Sequence, residues 1–287
     1  MVRNDTWFES HDGTKLFLRR WTSAAVQPAA VVHIAHGMAE HAGRYERLAE
    51  KLCPAGIEVW AADQRGHGKT ADPALNGPGM GGLAGHCADK NGFGRVCADI
   101  HAINREIRKV RPDVPLFLMG HSWGSFILQN YIEEYPDFGI NGCIFSGTRG
   151  PDGFRMKAGI PFMALIAAIR GQRRGSLLAR AAADGPYNKS FRPNRTGFDW
   201  ISRDEKVVDA FINDPLCGNL CSTGFYRDLV KGLYRTHRPD AMAKIHPNLA
   251  VYIFSGSDDP VGDMGASPTA LVNAYRTLGI RDLEFVL

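Results

Sequence analysis

The sequence of 287 residues has no extreme of charge and no long apolar run. Its formal net charge is only +4, and such a small, scattered excess does not favour nucleic acid as a partner. No segment approaches the roughly 20 apolar residues of a membrane span. The first five residues also lack the apolar core of a secretory signal. We therefore expect a globular cytoplasmic protein that binds no nucleic acid.

Paired cysteine motifs are absent as well. The sequence has six cysteines but no CxxC pair and no Cys/His spacing suited to zinc. Several of them lie in apolar stretches, as Cys143 does between Gly142 and Ile144. We interpret the cysteines as reduced packing residues, which fits a cytoplasmic location, and we expect neither a metal nor a cofactor.

Short apolar segments alternate with helical patterns along most of the chain. Strands are predicted at residues 30–35, 58–62, 116–119, 142–146, 250–255 and 283–287, after an opening hairpin within 7–21. Helices are predicted at 45–53, 93–110, 126–134 and 268–278. This alternation predicts an α/β fold with a mostly parallel, doubly wound sheet, whose ligand chemistry lies at the carboxyl ends of the strands.

Residues 148–240 interrupt that alternation. We predict that they form a mainly helical cap inserted into a core made of residues 1–147 and 241–287. Helices are expected at 160–170 and 176–183, followed by an irregular, aromatic-rich stretch from Phe191 to Tyr226. The apolar segment 160–169 has two interpretations, a helix buried against the core or a hydrophobic entrance that receives acyl chains or contacts a lipid surface.

One short motif indicates the chemistry. Gly120-His121-Ser122-Trp123-Gly124 follows a predicted strand, precedes a predicted helix and fits the G-x-S-x-G nucleophile elbow. In this motif the serine lies on a sharp turn, and its hydroxyl projects clear of the sheet. Flanking glycines fit because a Cβ would clash in such a crowded turn. Ser122 is the predicted nucleophile.

A serine nucleophile needs donors for the oxyanion and an acid that orients its base. His36-Gly37-Met38 follows the strand at 30–35, the position from which hydrolases with this elbow supply one backbone N–H, and the residue after the nucleophile supplies the other. We therefore assign the main-chain N–H groups of Met38 and Trp123.

The acid is expected on the loop after residues 250–255. Asp259 fits the local pattern G-x-x-D-x-V, whereas Asp258 is interpreted as a solvated loop residue. Asp63, which precedes the nucleophile, begins the sequence Asp63-Gln64-Arg65-Gly66-His67-Gly68. We predict that this segment is a rigid structural turn held by its own charge pair.

The base is the missing component. In the elbow-containing hydrolases the triad follows the order Ser, Asp, His, but the last histidine of this sequence is His246. His121 adjoins Ser122, yet the elbow points neighbouring side chains apart. His237 and His246 remain weak alternatives, and His33 is expected to be a core residue.

These motifs together resemble the monoacylglycerol lipase and lysophospholipase-like branch of the α/β-hydrolases, also described as serine-aminopeptidase-like hydrolases. The matching segments lie in order along the whole chain: residues 36–45, 63–68, 120–124, 198–204, 214–218 and 255–262. The resemblance implies an α/β-hydrolase fold. It also implies hydrolysis of monoacylglycerols, lysophospholipids or similar acyl esters through an acyl-enzyme on Ser122, without a cofactor.

The family pattern also implies a turn with the catalytic histidine beyond Leu287, followed by a closing helix, so we expect a C-terminal truncation with the last helix missing. We expect the form ending at Leu287 to be nearly inactive. The main alternative is a catalytically dead lipid-binding or interaction protein that keeps the pocket. A peptidase or another acyl-transfer enzyme is a weaker one. Peripheral contact of the cap with a membrane is compatible both with the ester hydrolase and with the lipid-binding protein.

Overall fold

A computed structural model describes all 287 residues of the chain. Eight strands form one sheet in the order β1-β2-β4-β3-β5-β6-β7-β8, in which β1 and β2 are antiparallel and β3 to β8 run parallel. The strands are β1 Val2–Glu9, β2 Lys15–Thr22, β3 Ala30–Ala35, β4 Ile57–Ala62, β5 Leu116–His121, β6 Gly142–Ser146, β7 Ala250–Phe254 and β8 Leu283–Val286.

Helices cover both faces of this sheet, and a large core of 40 buried residues lies on one face and a smaller one of eight on the other. The helices are α1 Glu46–Leu52, α2 Gly92–Val110, α3 Trp123–Glu134, α4 Gly153–Arg170, α5 Leu177–Ala183, α6 Glu205–Asn213, α7 Thr223–Thr236, α8 Pro239–Met242 and α9 Ala266–Thr277. Each predicted strand overlaps an observed one, and the predicted mostly parallel α/β architecture is confirmed. The expected packing role of the cysteines is also confirmed, because all six are buried and unpaired.

The chain between β6 and β7 contains α4 to α8 and lies over the carboxyl ends of the parallel strands. The predicted irregular stretch was wrong, since it contains all of α6 and the first four residues of α7. Ser222 caps α7 by accepting a hydrogen bond from the Phe225 N–H, and this serine was the overlooked start signal. The boundaries of the cap segment, residues 148–240, remain a prediction.

Helix α4 differs from the first interpretation of residues 160–169, and the second stays a prediction. It begins seven residues earlier, at Gly153, and only Met163, Ile166 and Ala167 are buried. A helix fully buried against the core is therefore the wrong description. Leu165 and Ile169 are exposed to 59% and 75%, so one side of the helix presents apolar side chains outward. No helix in the structure combines the length and apolar character needed to cross a bilayer.

Candidate active site

The junction between β5 and α3 holds Ser122 in a strained conformation. Its φ of 49° and ψ of −120° are unusual for a residue with a side chain. The two flanking glycines make this turn possible. A Cβ on Gly120 would lie 2.6 Å from the Ser125 Cα, and one on Gly124 would lie 2.1 Å from the Ala35 carbonyl oxygen. Strand β3 and helix α3 therefore approach so closely that only glycine fits between them.

The turn is also fixed from the neighbouring strand, because the Ser122 N–H donates to the Ser146 carbonyl over 2.8 Å. Ser122 itself is half-buried and lines a cavity of about 390 Å³ at the carboxyl ends of the strands. Met38, His121 and Asp259 line the same cavity. The structure thus brings three of the four predicted site residues to one cavity, and the main chain of the fourth, Trp123, directly follows Ser122.

The main-chain N–H groups of Met38 and Trp123 have no hydrogen-bond partner within the protein. Trp123 is the first residue of α3, and the N–H groups of a first helical turn have no partner inside the helix. The Trp123 side chain points away into the core, where it stacks on His67 at a ring distance of 5.0 Å.

Glu40 holds the loop that carries Met38, a function that the sequence analysis missed. One carboxylate oxygen accepts the Gly37 N–H over 2.5 Å and the Tyr45 hydroxyl over 2.9 Å, and the other pairs with Arg44. Burial alone would raise the pKa of Glu40, but the charges of His121 and Arg44 hold this pKa below its usual value. The buried carboxylate is thus a charged anchor for this loop.

The loop at residues 63–68 has the expected structural role, but the predicted ion pair within it does not form. Asp63 is fully buried and pairs with Arg19, and it accepts the Ala42 N–H over 2.9 Å. Arg65 instead pairs with Asp12 and Asp99. The internal pair was the wrong prediction because the tight turn directs the two side chains towards different strands and helices.

The two aspartates after β7 have different surroundings. Asp259 is half-buried at the cavity, where it accepts the Val261 N–H over 2.9 Å and the Ser255 hydroxyl over 3.1 Å. Asp258 is exposed and forms an ion pair with Arg203 from the cap segment at 2.6 Å. Of the two carboxylates, only Asp259 is held by the core itself.

No histidine of the structure forms a hydrogen bond with Ser122 or Asp259. His121 is the one histidine that lines the cavity, and its Nδ1 lies 3.1 Å from the Ser146 Oγ. His33 is buried against Asn104, which confirms its expected place in the core. His237 contacts Gln129 and His246 is exposed, so neither approaches the serine.

A cluster of potential metal ligands joins the cap segment to the Met38 loop. His41, Asp214 and Cys217 bring a nitrogen, an oxygen and a sulfur atom within 4.8 Å of one another. His41 Nδ1 accepts the Gly43 N–H, so its proton is on Nε2, which donates to Asp214 over 2.8 Å. The cluster is therefore already satisfied as a hydrogen-bonded link. A metal would need the His41 nitrogen that carries this proton.

The cap segment supplies most of the aromatic lining of the cavity. Phe191, Phe198, Trp200 and Phe211 line it together with a few polar groups. Among the polar groups, Arg180 lies 5.0 Å from the centre of the Phe198 ring, and Asp184 follows it one helical turn later. The side of the cavity around Ser122 is therefore built by the sheet, and the cap segment contributes most of its aromatic side chains.

Comparison with known proteins identifies the family. Residues 26–287 match the family model described as "Serine aminopeptidase, S33". The chain belongs to this hydrolase family. It is 29% identical over 255 residues to a monoacylglycerol lipase of Mycolicibacterium smegmatis, covering 88% of this chain and 78% of that protein. It is 32% identical to the human monoglyceride lipase over 263 residues, covering 88% and 72%.

Solved structures agree with this assignment. A thermostable carboxyl esterase from Bacillus coagulans, determined in complex with glycerol, superposes with a TM-score of 0.88 at 26% identity and covers 100% of this chain and 90% of its own. The α/β-hydrolase fold and the lipase-like branch inferred from the sequence are confirmed. Relatives differ in size, however. The chain spans only 19% of an uncharacterized abhydrolase domain-containing protein of Dictyostelium discoideum.

Proposed function

We propose that this hydrolase cleaves carboxylic esters of monoacylglycerols, lysophospholipids or similar acyl compounds through an acyl-enzyme on Ser122. One observation carries the proposal: Ser122 occupies a strained turn at the end of β5 and lines a largely apolar cavity next to available N–H groups. The names of the relatives add support, since two are monoacylglycerol lipases and one is a carboxyl esterase.

The proposed reaction has two steps. In the first, the Ser122 oxygen attacks the ester carbonyl while a base takes its proton, and the negative charge on the carbonyl oxygen is stabilised by the Met38 and Trp123 N–H groups. The base then gives the proton to the departing alcohol. In the second step, water attacks the acyl-enzyme and the same groups release the fatty acid. From the family resemblance we infer that a histidine acts as the base and that Asp259 orients it.

Fluorophosphonate labelling tests the nucleophile, because the probe reacts only with an activated serine. In a form extended to supply a histidine, we expect labelling of the protein, and esterase turnover with p-nitrophenyl butyrate, to disappear in Ser122→Ala. Ser146→Ala is the matched control, since Ser146 lines the same cavity on the adjacent strand. Equal rates of the extended form with and without Ser122→Ala would refute the assignment.

The acid and the base can be tested separately. Asp259→Asn is expected to lower turnover strongly and Asp258→Asn only slightly. Loss of a triad histidine can cost about 10⁶ in kcat, so we expect the form ending at Leu287 to be slow and a form extended to supply a histidine to be fast. Equal activity of these two forms would rule out a base beyond Leu287.

The second candidate is a lipid-binding protein without catalysis, and the absence of a histidine contact to Ser122 or Asp259 favours it. It predicts that a fatty acid or monoacylglycerol binds in the cavity and quenches tryptophan fluorescence through Trp200, while no form of the protein reacts with the fluorophosphonate. Labelling at Ser122 would exclude this candidate.

We also propose that the reaction takes place in the cytoplasm at a membrane surface. The outward apolar side chains of α4 and α5, next to Arg170 and Arg174, suit a site that collects its substrate from a membrane surface. Six free, buried thiols suit the reducing cytoplasm.

A further inference from the structure

A chain of buried polar side chains runs behind the nucleophile turn and ends in the cap segment. Ser125, Gln129 and Thr148 are all fully buried. The Ser125 Oγ lies 2.6 Å from the Ser122 carbonyl oxygen and 2.7 Å from the Thr148 Oγ1. The Gln129 Nε2 is 2.8 Å from that same Thr148 oxygen, and the Gln129 Oε1 is 2.9 Å from the His237 Nε2.

Counting donors fixes the direction of every bond in this chain. The Gln129 amide nitrogen also donates to the Arg149 carbonyl over 3.0 Å, so its Oε1 must be the acceptor and the His237 Nε2 must carry a proton. Ser125 has one hydroxyl proton, which the Ser122 carbonyl requires, so Thr148 must donate to Ser125. All the bonds therefore point the same way, from His237 towards Ser122, an arrangement in which each bond polarises and strengthens the next.

The series of hydrogen bonds ends at the Ser122 carbonyl, and peptide geometry makes this end important. The Ser122 carbonyl and the Trp123 N–H belong to one planar peptide unit, in which they point in opposite directions. Holding the carbonyl therefore sets the direction of the N–H, one of the two proposed oxyanion donors. Besides the Ser125 hydroxyl, this carbonyl accepts only the Ser125 and Phe126 N–H groups, over 2.8 Å and 3.3 Å.

The starting point lies in a different part of the protein. His237 directly follows α7, the helix of the cap segment that packs along α4 and also touches α3. Burial lowers the pKa of His237 to about 4, so the ring is neutral at physiological pH. Its buried Nδ1 has no partner, and the bond to Gln129 is the polar contact that holds the ring.

We propose that Ser125, Thr148, Gln129 and His237 are positioning residues that aim the Trp123 N–H and couple it to the cap segment. The proposal rests on the proposed function, in which that N–H stabilises the oxyanion. A shift of α7 would alter the His237 bond and, through the chain, the orientation of the peptide between Ser122 and Trp123. None of the four residues needs to touch the substrate.

Thr148 offers the sharpest test because two substitutions separate its hydroxyl from its volume. Thr148→Val keeps the shape of the side chain but removes the hydroxyl that links Ser125 to Gln129, whereas Thr148→Ser keeps that hydroxyl. Complete loss of an oxyanion donor costs about 10²–10³ in kcat, so a misdirected donor is expected to cost about 10-fold, with KM unchanged. Thr148→Ser should restore most of kcat. Equal kcat values for the two variants, or a change confined to KM, would overturn the proposal.

A spectroscopic measurement makes the test independent of turnover. In ¹H–¹⁵N spectra, Thr148→Val and His237→Leu are both expected to move the Trp123 amide resonance, and their combination should not be additive. Asn104→Ala is the matched control, since it breaks another buried amide–histidine pair, with His33. A Trp123 amide that moves no more than in this control would refute the relay, even if Ser122 proves to be the nucleophile.

The two proposals can fail separately. If Ser122→Ala leaves esterase activity intact while Thr148→Val and His237→Leu still move the Trp123 amide, the proposed function falls and the relay stands as a structural coupling. Should Thr148→Val not fold, His237→Leu at the other end of the chain provides the same comparison.

Discussion

Helices α3 and α4 are both rich in apolar residues, but their surroundings are opposite. Eleven of the 12 residues of α3 are buried, against three of the 18 in α4. Helix α3 follows the nucleophile and is enclosed by β3, β5 and β6, so its position is fixed by backbone contacts. Helix α4 lies in the cap segment and packs mainly on α7. The part of the molecule that follows Ser122 is thus tightly packed, whereas α4 in the cap segment is mostly exposed.

The largest effect is expected for a substitution in the tightly packed part of the molecule, at the start of α3. Gly124→Ala would place a Cβ 2.1 Å from the Ala35 carbonyl oxygen, which the surrounding backbone cannot avoid. We expect a loss of more than about 3 kcal/mol in the free energy of unfolding, together with loss of fluorophosphonate labelling. Urea denaturation followed by circular dichroism measures the first.

The matched variant is Gly153→Ala at the start of α4, where nothing lies within 4 Å of the added Cβ. It is expected to leave stability unchanged or to raise it slightly, because alanine favours a helix. Similar losses in the two variants would show that the cap segment is packed as tightly as the core.

The second prediction concerns the exposed apolar side of α4. Replacing Leu165 and Ile169 by serine removes exposed apolar area, so we expect binding to vesicles of phosphatidylglycerol and phosphatidylcholine to fall about 10- to 100-fold. Stability should change little. Vesicle sedimentation gives the affinity.

The control for that experiment is Leu75→Ser, which removes a leucine exposed to 47% outside the cap segment. Its vesicle binding is expected to equal that of the unchanged protein. If the double variant binds equally well too, the apolar side of α4 does not contact lipid.

The third prediction concerns pH and returns to the core. Burial lowers the pKa of His33 to about 4, whereas the unfolded chain takes up this proton near 6.5. The neutral form is favoured in the folded protein, so its contribution is complete above pH 6.5 and is lost as the pH falls towards 4. This one group accounts for up to about 3 kcal/mol across that window.

His33→Gln should therefore flatten the dependence of the urea midpoint between pH 6.5 and pH 4.5. The exposed His246, changed to glutamine, serves as the control and is expected to leave the dependence as it was. A profile that stays equally steep in His33→Gln would mean that other groups, such as the buried His67, dominate acid unfolding.

Local patterns were sufficient for the parts of the fold set by local sterics. Six strands were predicted within two residues at each end, because short apolar runs bounded by turns have few other conformations. The start of α7 was missed because its two glycines weaken the helical pattern, and its stability comes from packing on α4 instead.

The sequence by itself determined the strained serine turn, because the motif Gly120-His121-Ser122-Trp123-Gly124 already contains the glycines that such a crowded turn requires. Only the tertiary structure decided which charges pair, as for Asp63 and Arg65, and which apolar side of α4 faces outward. It also placed Glu40 beneath the Met38 loop and connected His237 to Ser122. These features join residues far apart in the chain, and their energies depend on burial and direction, which no local pattern of residues encodes.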